Sequence, residues 1–118
     1  PRMDFLLLAM NQLVNHLDKF AGMTNYELSP KVIIRTKVGS RYPLDAGPQH
    51  TQDHTEALRQ LVPHMQVFKI TQVSQVMPIY QNAVACPRPV IVIEQMEINP
   101  RQSVVSNLFP YTMQDKER

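Results

Sequence analysis

The sequence predicts an α/β domain of three layers, in which helices flank a mostly parallel sheet. Two apolar runs carry this prediction, because Val32-Ile33-Ile34 and Val90-Ile91-Val92-Ile93 contain no alternating polar residues. Such runs are typical of strands that are buried on both faces, as in parallel sheets. Segments with helical spacing precede and separate the predicted strands, and this alternation indicates βαβ units with right-handed crossovers.

The first helix is expected from about Asp4, which can serve as its cap, to Phe20, because apolar residues recur there at helical spacing. Gly22 lies just past this end, where a left-handed terminator is common. Ser29-Pro30 then leads into a predicted first strand over residues 31–36, which contains the first apolar run.

A long loop separates the first strand from the second helix, and it spans residues 38–52. Long ordered loops in compact domains are often functional. The second helix is expected to open near Asp53, because Asp53 and Glu56 have the spacing of a capping box. Pro63 then ends this helix, since proline cannot continue it.

The remaining elements are a strand over residues 65–70, a helix over residues 74–85 and a strand over residues 90–93. Pro78 must lie in or just after the first turn of that helix. Periodicity is lost after Glu97, so residues 98–118 are predicted to be a linker or tail. Three strands make a thin sheet, and we expect further strands upstream of Pro1 or a partner that completes the core.

Composition limits the class of protein. The 118 residues suffice for one small domain, and 43% hydrophobic content is ordinary for a globular chain. A formal net charge of +2 with interspersed signs argues against nucleic-acid binding, and no apolar run approaches the roughly 20 residues of a membrane span. A single cysteine, Cys86, fits a reducing compartment. The predicted location is the cytoplasm, or the mitochondrial matrix in a eukaryote.

The segment Gly47-Pro48-Gln49-His50-Thr51-Gln52 is the strongest candidate for a site. In open α/β sheets, ligands bind outside the carboxyl ends of the strands, and this segment follows the first strand. Histidine changes its charge near neutral pH, which makes His50 a candidate catalytic residue. The alternative is a loop histidine without a role. His54 lies four residues further on, but no third ligand is evident, so no metal site is predicted.

Two further groups of residues have more than one interpretation. Phe5 on its own would be assigned to the core, as aromatic residues usually are. Three charged residues can steer an anionic substrate or simply face solvent: Arg35, Arg41 and Asp45.

Four segments in order resemble a known family. They are Asn11-Gln12-Leu13-Val14-Asn15, Val32-Ile33-Ile34-Arg35, Gly47-Pro48-Gln49-His50-Thr51-Gln52 and Pro89-Val90-Ile91-Val92-Ile93-Glu94. Together they resemble the pyrimidine-binding domain of transketolase-like thiamine diphosphate enzymes. The likeness is greatest to the beta subunit of the 2-oxo acid dehydrogenase first component. The resemblance covers about Asp4 to Glu94 and implies that residues 1–97 are the later part of such a domain.

The resemblance implies thiamine diphosphate and Mg²⁺ as cofactors and a 2-oxo acid or a ketose as substrate. Phe5 would pack on the pyrimidine ring of the cofactor, and His50 would contact the substrate or an intermediate. A diphosphate-binding domain or an alpha-type subunit would hold Mg²⁺ and the diphosphate, because this chain has no Gly-Asp-Gly motif. The active site would therefore form within a homo- or hetero-oligomer.

The chain also departs from the family pattern. The family's activating glutamate lies on a segment before the region that matches Pro1, so we expect the isolated chain to be inactive. Asn11 replaces the usual aspartate, and Pro78 stands where glycine is frequent. Two alternatives follow. One is a non-catalytic assembly or dimerisation module derived from the same fold, and the other is an unrelated doubly wound domain.

Overall fold

In the part of the chain that the structure describes, a small α/β fold is built around a parallel sheet of three strands. A computed structural model describes residues 1–42 and 44–95. The strands are β1 (Ile33–Lys37), β2 (Gln66–Ile70) and β3 (Val90–Glu94), and their order in the sheet is β1-β3-β2. Both pairings are parallel, which confirms the α/β class with flanking helices. The predicted tail, residues 98–118, lies outside the described residues.

Residues 3–23 form one N-terminal helical segment whose geometry changes along its length. It consists of α1 (Met3–Leu6), a 3₁₀ turn (Leu7–Ala9), a π-helical stretch (Asn11–Leu17) and α2 (Phe20–Met23). The prediction of a regular helix is therefore wrong in detail, although the segment is helical. The N–H of Asp18 donates to the carbonyl of Leu13 at 2.9 Å, which is the wider i→i−5 spacing of a π-helix.

The ends of this segment also differ from the prediction. Asp4 lies in the first turn, and the cap position is Arg2, whose side chain makes no capping bond. Gly22 is not left-handed; the left-handed residues are Asn25 (φ 52°) and Tyr26 (φ 64°). The N–H of Tyr26 donates to the carbonyl of Ala21 at 2.7 Å, which satisfies a group that the helix end leaves open.

α3 (Thr55–Leu61) ends before Pro63 as predicted, but the predicted capping box does not form. Glu56 instead pairs with Arg59 one turn later. Asp53 stands before the helix, and its Oδ1 accepts hydrogen bonds from the N–H of Thr55 at 3.0 Å and from its hydroxyl at 2.5 Å. Asp53 therefore stabilises the start of α3, although it lies one residue before the N-cap position, His54.

α4 (Val76–Ala85) follows a 3₁₀ turn (Val73–Gln75). Pro78 is its third residue, so the predicted position in the first turn is confirmed. Proline is tolerated there because the first N–H groups of a helix have no partner within it. Within the described ranges, no helix combines the length and the apolar character needed to cross a bilayer.

Two apolar cores lie on opposite faces of the sheet and give three layers. The N-terminal helical segment and α3 cover one face, where the buried members include Met3, Leu6, Leu13, Leu58, Val62, Ile91 and Ile93. α4 covers the other face over Ile70, Ala83, Val90 and Val92. The four apolar residues of β3 are all 0% exposed and contribute alternately to both cores.

β1 is not buried on both faces, so this part of the prediction is wrong. Ile33 retains 36% of its exposure, and Arg35 and Lys37 on the same face are also exposed. The physical reason is position in the sheet: β1 is an edge strand, and α4 packs on β2 and β3. The same kind of apolar run is therefore central in β3 and half-covered in β1.

Candidate active site

Two rings from distant parts of the sequence meet at the carboxyl edge of the sheet. α1 begins at this edge, because Arg2 bridges to Lys37 at the end of β1. Phe5 lies on α1, and His50 lies in the loop that follows β1. Their ring centroids are 5.5 Å apart, with planes inclined by 64°, which is an edge-to-face contact. Phe5 stays 51% exposed, so its ring is open to a ligand.

A tight turn presents His50. Gly47 has φ +85°, a left-handed conformation that glycine adopts without steric cost. Asp45 accepts the N–H of Gly47 at 2.8 Å, and the N–H of His50 donates to the carbonyl of Gly47 at 3.1 Å. The Thr51 hydroxyl donates to the same carbonyl at 3.1 Å. Asp45, a candidate for substrate steering, thus has a structural contact in this turn.

Gly39 allows the loop to close on itself, and it was not among the residues predicted for the site. A Cβ at position 39 would stand 1.8 Å from the carbonyl oxygen of His50, which is far inside van der Waals contact. Only glycine permits this approach of two backbone segments. The available signal was composition, because the chain has only three glycines and one of them, Gly39, lies just past the end of β1.

Asp4 ties the same loop to the N-terminal helical segment. Its Oδ1 accepts hydrogen bonds from the backbone N–H of Gln52 at 3.3 Å and from the side-chain amide at 3.1 Å. Next to it, the N–H of His54 donates to the sulfur of the fully buried Met3 at 2.9 Å. These contacts hold the end of the loop against the start of α1, and they thereby hold Phe5 beside His50.

Asp53 anchors the end of the loop to β2. Its Oδ2 accepts a hydrogen bond from Lys69 at 2.5 Å. Partial burial alone would raise the pKa of Asp53, but the hydrogen bonds from Lys69 and Thr55 outweigh it and lower the pKa to about 2. The carboxylate is therefore ionised at neutral pH and holds the start of α3 against the sheet.

A second polar cluster lies on the α4 side of the same edge. Arg35 donates to both oxygens of Glu94, at 2.7 and 3.0 Å, and the Tyr80 hydroxyl donates to Glu94 at 2.7 Å. Burial and the bond to Glu94 raise the pKa of Tyr80 to about 12. Burial acts to raise the pKa of Glu94, but Arg35 and Tyr80 lower it overall. Arg35 is thus held by an ion pair, while Arg41 faces solvent.

The described residues offer little for a metal ion. Across residues 1–42 and 44–95, no group of three or more His, Cys, Asp or Glu side chains could hold one. His50 and His54 belong to the same loop, and the contact of His54 with Met3 is made by its backbone N–H. A magnesium site needs several oxygen ligands in a set geometry.

Comparisons with known proteins leave the family open: no family model matches the chain, and the search of curated proteins gave no match.

Proposed function

We propose that the chain forms part of the aminopyrimidine-binding domain of a thiamine diphosphate-dependent enzyme that acts on a 2-oxo acid or a ketose. The observation that carries the proposal is the contact between Phe5 and His50, with ring centroids 5.5 Å apart. Both residues were selected from the sequence for this site, although 44 residues separate them in the chain. Their position at the carboxyl edge of a parallel sheet is where such folds bind ligands.

The residues at this edge fit the aromatic half of the cofactor. Phe5 offers an exposed ring, and stacked or edge-to-face aromatic contacts contribute about 0.5–1.5 kcal/mol beyond area burial. The backbone of His50 is held in the turn by its hydrogen bond to Gly47, and its half-buried side chain keeps access to a ligand. The diphosphate and Mg²⁺ are assigned to a partner domain or an alpha-type subunit.

Thiamine diphosphate supplies, when bound, a nucleophilic carbon and an electron sink for bond cleavage next to a carbonyl group. The residues of this chain have simpler roles in the proposal. Phe5 orients the pyrimidine ring. His50 donates or accepts a proton at the substrate, which is a common contribution of histidine to catalysis. Gly39 and Asp4 act as positioning residues, because they hold the backbone on which His50 and Phe5 depend.

The first test is made on the native protein together with any chain that copurifies with it. Binding of thiamine diphosphate with Mg²⁺ is measured by calorimetry, and turnover is measured with a panel of 2-oxo acids and ketoses. His50→Ala is expected to lower turnover by roughly 10²–10⁴-fold, the usual contribution of a general acid or base. His16→Ala is the matched control, because His16 is exposed on the N-terminal helical segment. Absence of cofactor binding, or full turnover by His50→Ala, would refute the proposal.

A second test separates cofactor binding from proton transfer. Phe5→Ala is expected to weaken thiamine diphosphate binding by roughly three- to tenfold, in line with one aromatic contact. Leu8→Ala is the control, because Leu8 lies on the same helical segment and is 89% exposed. Equal affinity of the two variants would remove Phe5 from the site.

A second candidate function is an assembly module without catalysis. The observation that favours it is the exposed apolar surface of the N-terminal helical segment, where Leu7 is 45% and Leu8 is 89% exposed. Apolar surface of this kind often marks a protein interface. A stable oligomer that Leu8→Glu disrupts, without any binding of thiamine diphosphate by the native protein, would favour this function over the enzyme.

A further inference from the structure

A cavity opens at the edge of the sheet opposite to Phe5 and His50. Its volume is about 460 Å³, and its lining includes Pro30, His64 and Pro89, which precede β1, β2 and β3 respectively. Small-molecule sites commonly measure roughly 300–1,000 Å³. The cavity is therefore large enough for a small organic ligand, and it is separate from the site proposed above.

The walls of the cavity are held by hydrogen bonds between loops. The Ser29 hydroxyl donates to the carbonyl of Pro87 at 3.3 Å, which joins the segment before β1 to the segment before β3. Tyr26 also lines the cavity, in a left-handed conformation that the carbonyl of Ala21 holds. Non-glycine residues in this conformation carry strain and are frequent at ligand sites.

A buried carboxylate lies in the wall. The side chain of Asp18 is 0% exposed, and it accepts the backbone N–H of His64 at 2.9 Å. Its Oδ2 lies 3.1 Å from His64 Nδ1 and also pairs with Lys19. Burial acts to raise the pKa of Asp18, but the bonds from Lys19 and His64 lower it overall. This single acid is thus already compensated and does not attract a cationic ligand.

The charge that remains at the cavity is basic. It comes from Arg88, because Lys19 and His64, which also line the cavity, are already in contact with the buried carboxylate of Asp18. The other walls are mainly apolar and come from Leu17, Ala21, Pro30, Pro87 and Pro89. An apolar cavity with a few convergent polar groups is the usual form of a small-molecule site. Its complement is a ligand with an apolar body and one negative charge.

We propose that this cavity binds a small amphipathic carboxylic acid, with its apolar body among the prolines and its carboxylate at Arg88. Guanidinium groups suit this role because they bind carboxylates in a planar, charge-assisted manner. The inference does not depend on the function proposed for Phe5 and His50.

The experiment uses benzoate as the probe and the 118-residue chain labelled with ¹⁵N. Benzoate is expected to shift the amide signals of residues around the cavity, Lys19, Gly22 and Arg88 among them, with millimolar affinity. Benzamide is the neutral counterpart of the same shape, and it is expected to bind at least about fivefold more weakly. His50→Ala is expected to bind benzoate as the wild type does, so that failure here is distinguishable from failure of the proposed function.

Arg88→Gln is expected to weaken benzoate binding by about five- to tenfold, the loss typical of one charge-assisted contact, and to leave benzamide binding unchanged. Arg41→Gln is the matched control, because Arg41 is an exposed arginine in the loop after β1. Four results would overturn the proposal: no shifts with benzoate, shifts centred on Phe5 and His50, equal binding of benzamide and benzoate, or diffusion measurements showing that a second copy of the chain covers the cavity.

Discussion

Gly39→Ala is the substitution that tests most directly how the loop presents His50. The added Cβ would stand 1.8 Å from the carbonyl oxygen of His50 and 2.9 Å from its carbonyl carbon. Both atoms belong to the backbone, so no flexible side-chain end can move aside. The change must therefore push apart the two backbone segments that close the loop.

The magnitude follows from the distances. Real Cβ atoms essentially never approach closer than 3.0 Å, so the oxygen and the Cβ must separate by at least about 1.2 Å. Inserting a methyl group into a close contact costs about 1–3 kcal/mol of stability. A misplacement of about 1 Å at a catalytic group can lower turnover by about 100-fold. We therefore expect both a loss of stability and a change at His50.

The assay combines urea unfolding with NMR of the His50 ring, whose signals sense the neighbouring ring of Phe5. Gly39→Ala is expected to lower the free energy of unfolding by about 1–3 kcal/mol and to shift the His50 signals. Gly22→Ala is the matched control, because a Cβ there meets no atom within 4 Å. Since Gly22 lies in helix α2, this control is expected to be neutral or stabilising by up to about 1 kcal/mol.

The result that would refute the reasoning is a Gly39→Ala variant with the unfolding free energy and His50 signals of the wild type. Such a result would mean that the two backbone segments do not meet at this point. The assignment of Gly39 as a positioning residue would then fall, together with the loop geometry on which it depends.

Three further substitutions test other parts of the structure. Asp18→Asn is expected to destabilise the fold at neutral pH and to flatten the acid dependence of unfolding. The folded-state pKa of Asp18 lies below its ordinary value, so the stability that its carboxylate contributes is present above pH 3.8 and is lost as the pH falls further. Unfolding curves from pH 7 to about pH 2 would detect this loss. The same pH dependence in Asp18→Asn and in the wild type would contradict the prediction. Glu94→Gln is expected to lower the pKa of Tyr80 from about 12 toward 10.0. Ultraviolet titration measures this pKa, and Tyr80→Phe serves to identify the signal of Tyr80. A pKa that stays near 12 in Glu94→Gln would assign the shift to burial alone. Leu58→Ala, at a side chain 2% exposed, is expected to cost about 2–5 kcal/mol in urea unfolding, whereas Leu61→Ala, at one 45% exposed, is expected to cost much less.

Much of the fold could be predicted from local pattern. Local pattern predicted three strands, an end of α3 before Pro63 and a position for Pro78 in the first turn of the last helix, because proline acts through its own ring and missing N–H. The candidate site was also selected from sequence, and the structure brings Phe5 and His50 into contact. Their roles stay predictions.

Local pattern failed where a residue's surroundings come from elsewhere in the chain. Asp53 and Glu56 have the spacing of a capping box, but Lys69 on β2 holds Asp53, and Glu56 is left to its local neighbour Arg59. Asp18 carried no signal in the sequence, because its significance is a bond to His64, 46 positions away. Neither Lys69 nor His64 can be recognised as a partner from spacing along the chain.

By itself, the sequence determined which segments become helices and strands and which polar turn follows the first strand, because hydrophobic periodicity and the stereochemistry of proline act over a few residues. Tertiary structure alone decided that β3 lies in the centre of the sheet and β1 at its edge, that Gly39 must lack a side chain, and that a cavity with a basic rim opens opposite to His50. The physical reason is that burial, close backbone approach and the sum of charges around a cavity depend on contacts between residues far apart in the chain, which local preference does not encode.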